Sequence, residues 1–276
     1  MNINKNKLLL TLITVLILVS CEAESSRPYF VTSSYPLTLI LQEIIGTKGR
    51  VETLVPMGAS PHTYTPKPTD IQKATSAKAF LFVDMNYDGW SKNLNAKSSI
   101  EVFKLMPAPF IQNFTEPYLG GDSHNHSPND GHNHEAGSPD PHFWMDPIAV
   151  KALLPALVDT LGKIDPDNAN LYKTNADIFA KKIDILSRQV EDLTKNLRGK
   201  QVFLYHPSIL YMLKRYDMIY AGSIELLMQT SRLVLHVSAF KRYLKLTQGV
   251  YFLYISYKLA NILIIPSFNQ GSPHGG

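Results

Sequence analysis

Five of the nine histidines in this 276-residue chain, His124, His126, His132, His134 and His142, fall in one stretch, GDSHNHSPNDGHNHEAGSPDPHFWMDP. Neutral imidazole nitrogen is a natural ligand for a divalent transition metal. Three imidazoles with one carboxylate or water complete a tetrahedral zinc shell at about 2.0–2.1 Å per Zn–N bond. Two further histidines share a feature with His142. His62 in GASPHTYTPKPTD and His206 in QVFLYHPS also stand in proline-flanked loops, where proline stiffens the backbone and lowers the entropy lost in holding a ring in place. A single histidine after a strand is more often a turn donor or cap than a ligand. Three in such loops form a candidate set, His62, His142 and His206, although spacing alone does not make them converge. The four histidines of the H-N-H pairs sit among Gly, Ser, Asn and Pro, a composition that cannot bury a core. They read either as a solvated loop that collects zinc weakly, with Asp122, Asp130 and Glu135 nearby, or as a polar insertion with no metal role.

The elements that must position these rings follow a regular cadence. RPYFVTSSYPLTLILQEIIG reads as a strand, Tyr29 to Thr32, then an amphipathic helix ending at Gly46, and RVETLVP as a second strand. KPTDIQKATSAKAFLFVD reads as a helix capped by Thr69 and Asp70, followed by a strand from Ala79 to Val83. That strand's nearly unbroken apolar run suits a parallel sheet covered on both faces. Alternating strand and helix predict an α/β fold. After the His-rich run come one helix, DPIAVKALLPALVDTLGKI, and a longer one from Pro166 to Arg198, closed by Gly199, with Leu171, Ile178, Phe179, Ile185, Leu186, Val190, Leu193 and Leu197 on its apolar face. KQVFLYHPSILYMLKRYDMIYAGSIE then begins a second α/β body. The side chains beyond the carboxyl ends of such strands face the crevice where ligands bind, which is where His206, and a few residues on from its strand His62, are expected.

Lys5 and Lys7 precede an apolar run from Leu8 to Val19, the pattern of an export signal. It ends in Leu18-Val19-Ser20-Cys21, which resembles the lipobox of bacterial lipoproteins. That resemblance makes Cys21, the only cysteine, the lipidated first residue of an exported, membrane-anchored protein on the periplasmic or cell-surface side. Of the 27 Lys and Arg, two lie in the leader and five between 226 and 276, whereas all 23 acidic residues lie between 22 and 225. The formal charge of +4 therefore misleads: the body is acidic and offers no footprint for nucleic acid.

GASPHTYTPKPTDI, DPHFWMDP, DPDNANLYKTNADIFAKKID and YHPSILYMLKRY, in this order from about Tyr29 to Glu225, resemble the successive signatures of cluster A-I solute-binding lipoproteins, the receptors of zinc and manganese ABC importers. The resemblance implies two α/β lobes joined by a rigid long helix, with metal between them. Its boundaries here are a signal peptide 1–20, a lipidated tether 21–28, an N-terminal lobe 29–164 with a His-rich loop 120–139, a linking helix 165–198, the start of a C-terminal lobe 199–225, and a tail 226–276. It further implies that His62 and His142 are N-lobe ligands and His206 the first C-lobe ligand. Manganese members tend to carry Glu where this chain has His206, and imidazole suits zinc as carboxylate suits manganese; Zn²⁺ is thus the expected metal. The implied function is a monomeric extracytoplasmic zinc receptor, not an enzyme, that hands Zn²⁺ to an ABC permease. Capture by neutral imidazoles should weaken below about pH 6.5.

The tail departs from the family pattern. The acidic fourth ligand expected there is missing, since residues 226–276 hold no Asp or Glu and are rich in Leu, Ile, Tyr, Phe and Lys. Such a tail reads as a frameshifted or truncated C-lobe; a C-terminal membrane segment over Val250 to Phe268 is the competing reading, weakened by Lys258 at its centre. Glu225, the last acid, is a possible substitute ligand. Two alternatives stand beside the receptor. One is a zinc hydrolase, which needs a general base that no H-E-x-x-H motif supplies. The other is a surface adhesin of the same family.

Overall fold

The computed structural model describes residues 28–114, 137–204 and 206–223, with the backbone of Tyr251–Phe252. The leader, Cys21, the four paired histidines, Glu225 and the rest of the tail, including the apolar run over Val250 to Phe268 apart from that short strand, lie outside the described residues. The chain divides into two compact units, one of Met1–Glu101 with Val158–Asn175 and one of Val102–Leu157 with Ala176–Gly276. Among the described residues, no helix is long and apolar enough to cross a membrane.

In the first unit, β1 (Tyr29–Thr32), β2 (Arg50–Thr53), β3 (Ala79–Phe82) and β4 (Ser99–Glu101) form a sheet of order β2-β1-β3-β4, parallel throughout. Parallel pairing demands crossovers, and α1 (Tyr35–Ile45) and α2 (Pro68–Ser76) provide them. The strand alternation distributes the core. Val31 packs with Leu54, Ala74, Phe80 and Phe82 on the face that α2 covers, while Phe30, its neighbour of opposite direction, meets the ring of Tyr172. All four residues of β3 are buried, as the continuous apolar run requires. Helix α1 stops at Gly46, whose φ of 64° suits a residue without a Cβ. Helix α2 starts earlier than its sequence suggests, with Lys67 rather than Thr69 or Asp70 in the cap position. Pro68 takes the first helical position after Lys67, and Asp70, instead of preceding the helix, sits in its first turn and accepts the Lys67 backbone N–H at 2.8 Å.

The second unit begins with α3 (Val102–Leu105). Helix α4 (Pro147–Ile164) starts in this unit and ends in the first, and α5 (Ala169–Thr194) returns. Single 3-10 turns at Pro166–Asn168 and Lys195–Leu197 flank α5, and Gly199 follows at φ 68°, so the expected span is filled almost to its ends. Its buried stripe overlaps the expected one only in part: Val190 is buried as expected, but Tyr172, Ala176 and Ile183 are buried as well, whereas Ile178, Ile185 and Leu193 are exposed. A helix with apolar residues on two adjoining stripes can bury either. Here the stripe holding Tyr172 lies inward, where its ring packs on Phe30. The strands β5 (Gln201–Leu204), β6 (Ile219–Ser223) and β7 (Tyr251–Phe252) then form a parallel sheet of order β6-β5-β7, with α6 (Leu210–Arg215) between β5 and β6. This is the α/β architecture the alternating pattern calls for.

Candidate metal centre

His62 stands in the loop after β2, in the first unit. The indole N–H of Trp90 donates to the carbonyl of Pro61 at 2.8 Å, which fixes the peptide just before the histidine. The His62 ring meets Tyr87 edge-on, with centroids 4.6 Å apart. Tyr87 belongs to the loop after β3, and two buried carboxylates shape that loop. Asp84 accepts the backbone N–H groups of Asn86 and Tyr87 at 2.8 and 2.7 Å, and Asp88 accepts those of Val83 and Asp84 at 2.9 and 3.1 Å. Both loops leave the carboxyl ends of strands flanking β1, the edge at which a sheet of this order binds ligands. Burial pushes the Asp88 carboxyl up to about 7, against the pull of its backbone donors, and the neighbouring Asp84 adds to the rise.

His142 and His206 belong to the second unit, whereas the family resemblance pairs His142 with His62. His206 follows β5 at once, and its carbonyl accepts the Ser208 N–H at 2.8 Å. His142 is buried and opens a 3-10 turn, Phe143–Met145. The two rings stand edge to face with centroids 5.6 Å apart, and Trp144 meets the His142 ring at 5.5 Å.

A polar framework surrounds this pair. The backbone of residues 112–114 pairs with 137–140 in antiparallel fashion, with Asp140 N–H donating to Gln112 O at 2.8 Å and Phe114 N–H to Ser138 O at 2.9 Å. Both ends of the segment carrying His124, His126, His132 and His134 therefore join one stem, two residues from His142. The Tyr211 hydroxyl, on α6, accepts the Gln112 N–H at 2.9 Å and donates to the Asp140 carbonyl at 3.1 Å. Beyond the ring, Asp146 accepts the Ile148 N–H at the start of α4 and binds Arg215 of α6. The Asp140 carboxylate, fully buried, lies 2.7 Å from His142 Nδ1. Among the described residues no group of three or more His, Cys, Asp or Glu side chains stands together as a metal cage. The structure thus brings His142 and His206 together and places His62 in the other unit.

Asp140, Tyr211, Arg215 and Asp88 contribute without a motif that marks them in the sequence. Only Asp140 left a signal, as an acid two residues before a candidate ligand.

The sequence profile of the zinc-uptake complex component A periplasmic family, ZnuA, matches residues 30–240. The chain belongs to this family. The match runs beyond Glu225, where the motif resemblance ends. Zinc-binding protein AdcA of Streptococcus pyogenes serotype M3 is 30% identical over 156 residues, 52% of this chain and 29% of that protein. The high-affinity zinc uptake system protein ZnuA of Yersinia pestis is 27% identical over 194 residues, 66% of this chain and 60% of that protein. The chain thus spans less than two thirds of the length of either relative. Among solved structures, Zn(II)-bound AdcA of Streptococcus pneumoniae superposes with a TM-score of 0.61 at 21% identity, over 86% of this chain and 49% of that one. That likeness establishes the ZnuA-like α/β fold.

Proposed function

We propose that the protein is an extracytoplasmic zinc receptor that captures Zn²⁺ through His62, His142 and His206 and passes it to an ABC permease. The observation that carries this reading is the His142–His206 pair. Two imidazoles bound to one tetrahedral zinc at about 2.0–2.1 Å per bond have ring centroids about 5 Å apart, and this pair stands at 5.6 Å on two separate loops. Membership of a zinc-uptake family and the names of the relatives support the choice of metal. Three nitrogen ligands with one open position favour zinc over manganese. A water or Glu225 completes the shell, and the paired histidines between residues 115 and 136 raise the zinc concentration near the site. Cys21, as the lipidated residue, anchors the chain to the membrane. No reaction on the metal is involved.

Isothermal titration of the chain with Zn²⁺ and with Mn²⁺ tests the reading. Zinc should bind at one tight site, with weaker binding by the paired histidines beyond it, and more tightly than manganese, and His62→Ala and His206→Ala should each weaken the tight binding by more than about tenfold. Unchanged zinc affinity in both variants would remove these residues from the site.

A further inference from the structure

We propose that Asp140 is a positioning residue for zinc capture: by accepting a hydrogen bond from Nδ1–H of His142 it fixes the imidazole tautomer in which Nε2 is unprotonated and carries the lone pair. The inference rests on the reading of His142 as a zinc ligand and deepens it.

The geometry assigns the direction of the bond. Asp140 Oδ1 lies 2.7 Å from His142 Nδ1 and 3.0 Å from the His142 backbone nitrogen. A backbone N–H can only donate, so Oδ1 is an acceptor. An oxygen aligned as acceptor for one group draws a donor from the other, which places the ring proton on Nδ1. A neutral imidazole then has its lone pair on Nε2, the form a metal requires. Free histidine favours the opposite tautomer, with the proton on Nε2, so without Asp140 most metal-free molecules would have to move that proton before binding. The carboxylate is not itself a ligand of the same ion, because it occupies the ring edge away from Nε2.

Two further observations suit this role. Asp140 is fully buried, and its second oxygen, Oδ2, accepts no hydrogen bond among the described residues. A buried carboxylate oxygen without a donor is costly to retain, and although the bond from the His142 backbone N–H to Oδ1 is an Asx turn, that turn does not require the second, shorter contact of Oδ1 with Nδ1. The main chain of Asp140 is also braced, by Gln112 O at its N–H and by the Tyr211 hydroxyl at its carbonyl. The carboxylate is therefore held by a fixed backbone on one side while it holds the ring on the other, and Trp144 limits the ring's rotation from its edge.

The test combines zinc titration with ¹⁵N NMR of the histidine rings in the metal-free full chain. The wild-type His142 should give the Nδ1–H pattern, and Asp140→Ala should shift it toward Nε2–H and weaken zinc binding about 10- to 100-fold. Asp140→Asn keeps an amide oxygen able to accept from Nδ1, so it should retain the wild-type tautomer and lose much less affinity. Wild-type His142 found with its proton on Nε2 would overturn the proposal, as would Asp140→Ala binding zinc within about twofold of wild type. Should Asp140→Ala fail to melt cooperatively, the wild-type tautomer and the Asp140→Asn affinity decide. His142→Ala with wild-type zinc affinity would instead sink the capture reading, while the ring tautomer in the metal-free chain would still be measurable by itself.

Discussion

The guanidinium of Arg215 grips both carboxylate oxygens of Asp146, with Nε 2.9 Å from Oδ1 and Nη2 2.7 Å from Oδ2. Asp146 is almost wholly buried, so its charge depends on this partner. The bond ties α6, which follows His206, to the turn that follows His142. Removing one member of such a pair leaves an uncompensated buried charge. Because the guanidinium is itself about a third exposed, Arg215→Ala should destabilise the fold by about 2–3 kcal/mol rather than more. Arg215→Lys keeps the charge without the two-pronged fit and should lose about half as much. Urea unfolding midpoints measure both, and equal stability of wild type and Arg215→Ala would show that Asp146 is solvated well enough without its partner.

Tyr211 is fully buried, and its hydroxyl joins Gln112 and Asp140. Tyr211→Phe keeps the ring and deletes that link, leaving the Gln112 N–H without its acceptor. We expect a loss of about 1–3 kcal/mol and faster amide exchange at Gln112. Protection at Gln112 equal to wild type would mean that another acceptor takes over.

Much of the first unit is legible in the sequence because its signals are local. The unbroken apolar run of β3 demands a sheet covered on both faces, and Gly46 marks the end of α1 by its backbone freedom alone, whereas the start of α2 at Pro68 is masked by Thr69 and Asp70, which offer a rival cap. The proline-flanked loops also mark His62, His142 and His206 as candidates in the sequence. The pairing of His142 with His206 is not legible, because it depends on which loop the antiparallel stem at 112–114 and 137–140 holds against α6. The framework around the pair is likewise set by long-range bonds: Tyr211 and Gln112 are far apart in sequence and carry no local pattern. The inward stripe of α5 escaped for a different reason, since two adjoining apolar stripes satisfy the same helical period.

Two buried acids give stability opposite dependences on pH. Asp165 is buried, which by itself raises its carboxyl, but Lys78, Tyr172 and Asn168 all donate to it and hold it below the usual carboxylate range. A carboxyl lowered in the folded state stabilises the protein above its unfolded value of about 3.9, and that contribution is lost as the pH falls through the folded value. Lys78→Met should therefore destabilise the fold near neutral pH by about 1 kcal/mol given the exposed lysine, and the gap to wild type should close as the pH falls through the lowered value of Asp165 in the folded chain. A gap that persists unchanged in acid would assign the effect to packing of the lysine stem.

Asp88 works in the other direction. Its carboxyl, raised to about 7 chiefly by burial, takes up a proton on folding at any pH between the unfolded value of about 3.9 and 7. The stability this group favours is complete below about pH 4 and declines as the pH climbs to about 7, with a slope of up to about 1.4 kcal/mol per pH unit for one proton. Asp84, raised for the same reason and further by Glu101, adds to the slope. Asp88→Asn removes the titration while keeping one oxygen to accept from Val83 or Asp84, so its stability should be close to wild type in acid and exceed it near neutral pH, and its pH slope between about 5 and 7 should flatten. Asp84→Asn should remove what slope remains. Because Asp84 and Asp88 shape the loop that sets Tyr87 against His62, urea midpoints across this range also report how firmly that histidine's surroundings are held. A slope in Asp88→Asn as steep as in wild type would show that Asp88 is already ionised in the folded chain throughout the range.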